Sequence, residues 1–172
     1  RQLLHQIPPG AARATDYHRF IAGILELIFY PYLQCPQIEY PIHEGRKRID
    51  ITFDNAARDG FFYRLHTTHK IPSAYIVVEC KNYSADPDNP ELDQLAGRFS
   101  INRGQAGLLM CRRLDDDTIF LRRCTDTYKD GRGLILPFTD EDLDLVLRTI
   151  AHTSQNPVDE LLSNKLRLVA LA

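Results

Sequence analysis

The sequence predicts an α/β protein, a central mixed β-sheet flanked by helices. Three observations lead there. Short β-branched or apolar runs at 74–81, 106–111 and 134–137 alternate with stretches of helical periodicity, the order that builds layered α/β domains. Two earlier strand-like runs, 37–43 and 48–54, flank the turn Glu44-Gly45-Arg46 and read as neighbours. The 172 residues, 44% hydrophobic and 26% charged, are enough for one domain with a sizeable core.

In chain order, residues 1–15, with Pro8-Pro9-Gly10, read as a lead-in. Asp16 is the expected N-cap of a helix over 17–30 with an apolar stripe of Tyr17, Phe20, Ile21, Ile24 and Ile28. Leu25, Leu27 and Phe29 widen that stripe, so burial over most of the circumference is expected. Ala22 and Gly23 lie beside Glu26, where their small size would admit another element. Pro31 ends the helix. In the strand 48–54, Ile49, Ile51 and Phe53 face one way and Asp50, Thr52 and Asp54 the other.

Residues 55–73 read as a polar connection with a short helix or hairpin around Phe61-Phe62-Tyr63. Strand 74–81 follows, then a turn-rich loop 85–90 that launches a helix over 91–102. On it Leu92, Leu95 and Phe99 face the core, Gln94 and Arg98 are neighbours, and Asn102-Arg103-Gly104 closes the end. A helix over 115–128 with exposed Arg122-Arg123 leads to the turn 130–133 and the last strand. Thr139-Asp140-Glu141-Asp142 starts a helix over 140–151. Asn156-Pro157 starts a final one, which could close the domain, meet a second copy or lead into a further domain. The whole of 1–172 is read as a single domain, with its core at about 16–137 and C-terminal helices over 139–172. Without an initiator Met it is also read as a possible piece of a longer protein, so missing targeting signals carry little weight.

A net charge of -2 does not announce a nucleic-acid binder, yet basic clusters stand at Arg46-Lys47-Arg48, Arg112-Arg113 and Arg122-Arg123. No apolar run reaches the roughly 20 residues of a membrane helix. Cys35, Cys80, Cys111 and Cys124 show no CxxC spacing, which argues against structural zinc and for reduced thiols in a cytoplasmic setting. The six histidines form no recognisable pattern and are read as surface or core residues. Ser84 and Ser100 lack a nucleophile elbow.

The chemistry gathers at the end of strand 74–81. Tyr75, Val77, Glu79 and Lys81 share one face, and Glu79 with Lys81 is costly to bury unless paired or holding a metal. Asp50, on a strand expected to lie adjacent, can project from the same face. Two carboxylates with open water positions suit Mg²⁺, and a nearby Lys can orient water and stabilise charge on a phosphate. A plain structural ion pair is the alternative reading of Glu79 and Lys81.

Gly45-Arg-Lys-Arg-Ile-Asp50, then Val78-Glu79-Cys80-Lys81-Asn82, then a helix carrying Gln94, resembles the PD-(D/E)XK nuclease superfamily, including its Mrr-type and phage-defence branches. The likeness covers about residues 16–137. It implies a restriction-endonuclease-like fold, with Asp50 and Glu79 as ligands of Mg²⁺ or Mn²⁺ and the Cys80 backbone carbonyl as a third. It implies Lys81 as the catalytic lysine, Gln94 as its orienter or a substrate contact, and Glu26 as the first-helix carboxylate of some branches. The family's Pro before the first Asp is replaced by Ile49. Arg98, Arg103 and Lys47 are candidate phosphate contacts. The implied activity is endonucleolytic cleavage of double-stranded DNA leaving a 5′-phosphate, in restriction or antiviral defence, by a homodimer or with a fused or associated regulatory domain. The alternatives are a non-catalytic nucleic-acid-binding or scaffold domain, and a nuclease acting on RNA or single strands.

Overall fold

The computed structural model of the chain describes residues 6–172. Five strands form one sheet: β1 (Leu33–Ile42), β2 (Lys47–Asn55), β3 (Tyr75–Lys81), β4 (Ala106–Cys111) and β5 (Leu134–Thr139), in that spatial order. β2 runs antiparallel to both β1 and β3, whereas β3, β4 and β5 are mutually parallel. The sheet is therefore mixed. Helices α1 (Ala14–Phe29), α2 (Gly60–Thr67), α3 (Asn89–Ala96), α4 (Asp117–Lys129), α5 (Asp140–Thr153) and α6 (Val158–Leu171) flank it.

Ladder register sorts the side chains. Ile76, Val78 and Cys80 share a face with Leu108, Met110, Leu136 and Phe138. α1 and α2 close over that face, where Phe29 meets Phe62 and Phe138 edge-to-face at centroid distances of 5.1 and 6.4 Å. The opposite face carries Val77, Glu79 and Lys81, and α3 lies over it. Phe99, just past α3, packs on Gly107 and Gly133, which leave room for its ring. α6 packs against α4, β5 and α2, and the Arg64–Asp159 ion pair at 2.9 Å ties it to α2.

Several boundaries differ from the expectation for physical reasons. Of the lead-in expected over 1–15, residues 1–5 lie outside the described residues, and α1 begins already at Ala14 after a single 3₁₀ turn. Asp16 is not the N-cap: it sits in the first turn and accepts Arg13 Nε at 2.5 Å. Leu27 is two-thirds exposed, so the buried stripe is narrower than predicted, and Gly23 faces open space. β1 starts at Leu33, four residues early, because a bulge between Gln34 and Gln37 carries the pairing past an irregularity. Pro36 and Pro41 sit on this outer strand, and Cys35 and Glu39 adopt positive φ. α3 stops at Ala96, not 102. Just past it the Arg98 and Phe99 amides donate to the Leu95 and Ala96 carbonyls in a tighter turn, and Arg103 folds back to donate to the Arg98 carbonyl. Arg123, expected exposed, is half-buried and pairs with Asp88.

Asp116 caps α4, its carboxylate accepting the Ile119 amide at 2.9 Å. Asp116→Ala should lower stability by about 1 kcal/mol in urea unfolding. No change in the midpoint would remove the cap from the account of this helix.

Candidate functional site

β2 and β3 part company at one end. Their ladder closes at Ile51↔Val78, and one step further Asp50 stands opposite Glu79 on the same face. There the strand pairing is replaced by a side chain: Asp50 Oδ2 accepts the Cys80 backbone N–H at 2.9 Å. A strand residue turns its N–H and C=O to the same edge, so the Cys80 carbonyl faces this opening too. The Cys80 side chain goes to the other, buried face, where loss of water pushes its thiol well above the usual range, with Asp50 and Glu79 adding to the rise.

Glu79 is buried to 1% exposure and Lys81 to 9%. Lys81 Nζ donates to Glu79 Oε1 and to Gln94 Oε1, each at 3.0 Å, and Gln94 Nε2 donates back to Glu79 Oε1. α3 therefore supplies the neighbour that locks the lysine. Glu79 Oε2 is buried and meets no hydrogen-bond partner among the described residues. Burial first, and the facing Asp50 carboxylate second, push the Glu79 carboxyl up from 4.5 to about 7, while Lys81 and Arg98 pull it down.

Of the residues singled out in the sequence, Asp50, Glu79, Lys81 and Gln94 converge, and Arg98 lies close enough for its charge to act on Glu79. Arg98 Nε is itself buried without a partner among the described residues. Lys47 is exposed, its ammonium 4.0 Å from where a side chain on Gly97 would begin, at the end of α3. Two residues do not belong here. Glu26 is exposed, and lies eight residues, about 12 Å, along α1 from the position that does reach the site. Arg103 bonds through its backbone to Tyr75, about 13 Å down β3 from Glu79, and its guanidinium is committed to the Arg98 carbonyl.

The residue of α1 that reaches the site is His18, not read as functional from the sequence. Its Nε2 lies 3.7 Å from Asp50 Oδ2, too long for a hydrogen bond, and its Nδ1 is buried without a partner among the described residues. A lone helical His carries no spacing signal; its only hint was a place on the helix next to buried Tyr17. Tyr83 stands exposed at the rim, its ring centroid 5.9 Å from Lys81 Nζ.

Among the described residues no group of three or more His, Cys, Asp and Glu side chains gathers to hold a metal alone. A hard divalent cation does not ask for that: one or two carboxylates and several waters suit Mg²⁺. Asp50, Glu79 Oε2 and the Cys80 carbonyl are the oxygen atoms here that could serve as such donors. Comparison with protein-family models, with curated proteins and with solved structures finds no match to this chain.

Proposed function

We propose that this protein is a metal-dependent endonuclease of the PD-(D/E)XK kind that hydrolyses phosphodiester bonds in DNA. One observation carries the reading. Glu79 is buried with one oxygen bonded to both Lys81 and Gln94 and the other without a partner among the described residues, directly across from Asp50. A purely structural ion pair would gain nothing from an idle buried oxygen or from a second carboxylate raising its energy. The order of strands and helices around the site supports a restriction-endonuclease-like architecture.

Asp50, Glu79 and the Cys80 carbonyl would hold Mg²⁺ or Mn²⁺, which when bound polarises the phosphoryl group and acidifies a water. Lys81 has three donors; two go to Glu79 and Gln94, which leaves the third for a water or phosphate oxygen. Gln94 fixes the direction of that donor. Arg98 and the exposed Arg46-Lys47-Arg48 turn supply positive charge for neighbouring phosphates. Cutting both strands of a duplex takes two such sites, so two copies acting together belong to the proposal, as does a cytoplasmic role in restriction or antiviral defence.

The test is cleavage of supercoiled plasmid with Mg²⁺ or Mn²⁺, beside EDTA and Lys81→Ala. EDTA should abolish cutting, and Lys81→Ala should slow it by at least about 100-fold. Cleavage that survives Lys81→Ala, or none in any metal, overturns the reading. Tight DNA binding without cutting would mark a non-catalytic domain, and single-stranded DNA and RNA run in parallel decide the nucleic acid.

A further inference from the structure

Among the described residues the β2-facing edge of β3 has no strand partner beyond Val78, yet Glu79 and Lys81 need a fixed backbone. The Cys80 amide on that edge is held by Asp50. Two residues on, the partner is the segment ahead of α1. Gly10 N–H donates to the Asn82 carbonyl at 2.7 Å, and Asn82 Nδ2 donates to the Pro8 and Gly10 carbonyls, both at 3.0 Å. These are contacts across more than 70 residues of sequence. Asn82 is 3% exposed, and Ile7, the first residue of the segment, is itself buried at 8%. Gly10 takes φ +123°, a conformation open to glycine and strained for any other residue.

We infer that residues 7–10 form a strap that replaces β2 as the neighbour of β3 at the site. Asn82 is then the positioning residue through which the strap fixes Lys81 and Glu79. Three observations bear on it. The strap bonds to the backbone as well as the side chain of Asn82, so it fixes the chain direction and not merely a rotamer. Asn82 directly follows Lys81, so a shift of its backbone moves the lysine before anything else. Both donors of the Asn82 amide go to the strap, so removing the side chain takes away two of its three bonds without touching Glu79, Lys81 or Gln94. The role rests on the nuclease reading above; Asn82 itself touches none of the reacting groups.

Three variants test it in the full chain: Asn82→Ala, Asn82→Asp, which keeps the size but loses the donor, and Gly10→Ala, which strains the strap and leaves Asn82 intact. Two measurements are made on each. One is single-turnover plasmid cleavage with DNA affinity measured separately. The other is amide hydrogen exchange across 79–83, with β4 as an internal reference. All three variants should slow the cleavage step at least 30-fold with DNA affinity within threefold, and speed exchange at 79–83 at least tenfold with β4 unchanged. Unchanged exchange overturns the strap. Faster exchange with cleavage within threefold of the parent overturns the positioning role. If the parent itself cuts nothing and Lys81→Ala makes no difference, it is the nuclease reading that has failed, and exchange still decides the strap.

Discussion

Glu79→Gln is expected to abolish cleavage and, in metal-free buffer, to leave a protein more stable than its parent at pH 7 and above. The carboxyl is held at about 7 in the folded state against 4.5 ordinarily, first by burial and then by Asp50. Below about pH 4.5 folded and unfolded chains both keep this proton, and the folded state suffers no penalty. Between 4.5 and 7 the unfolded chain has released the proton while the folded chain still holds it, so stability falls as pH rises. Above 7 the loss is complete, on the order of 3 kcal/mol. The amide of the variant does not titrate, so its stability relative to the parent should climb by about that amount from roughly pH 4.5 to 8. Urea unfolding in EDTA across that range measures it, and two curves that stay parallel would refute the assignment. Adding Mn²⁺ should favour the parent, because only the ionised carboxylate gains from a cation.

Gly104→Ala should cost roughly 3–5 kcal/mol, combining backbone strain with overpacking. Gly104 has φ +147°, and a Cβ there would lie far inside van der Waals distance of the Tyr75 carbonyl oxygen, a backbone atom with little freedom to move. The surrounding hydrogen bonds, Tyr75 N–H to the Arg103 carbonyl at 2.8 Å and Gln105 N–H to the Pro72 carbonyl at 2.6 Å, set where β3 begins. Gly131, with φ +68° but open space around it, is the control. Gly131→Ala should cost only about 1–2 kcal/mol, the left-handed penalty alone. Equal losses in denaturant titrations would dismiss the close approach as the cause.

Much of this was legible in the sequence because strands write their faces in alternation. Ile49, Ile51 and Phe53 against Asp50, and Val77, Glu79 and Lys81 together, follow from a period of two. Gln94 was singled out through the resemblance, on a helix that the turn-rich loop before it announces. What stayed hidden depends on contacts between distant segments. By helical angle Glu26 points nearly opposite the Tyr17/Ile21/Ile24/Ile28 stripe and His18 lies at its border, yet the helix alone does not say that His18 meets the end of β2. Arg98 and Arg103 looked alike as charges until the early end of α3 turned one toward Glu79 and spent the other on a carbonyl. Nothing local marked Asn82 as more than the residue after Lys81, because its partners precede it by more than 70 residues.

The outer strand β1 has a consequence for how copies of the chain can meet. Pro36 and Pro41 offer no N–H, and positive φ at Cys35 and Glu39 breaks the even spacing of the groups that remain. A sixth strand arriving there would find a broken row of donors and acceptors, so this edge of the sheet is poorly suited to growth by edge-to-edge stacking. Ile38 and Tyr40 are nonetheless exposed on this strand. Whatever docks against β1 must grip those side chains, not zip onto the backbone.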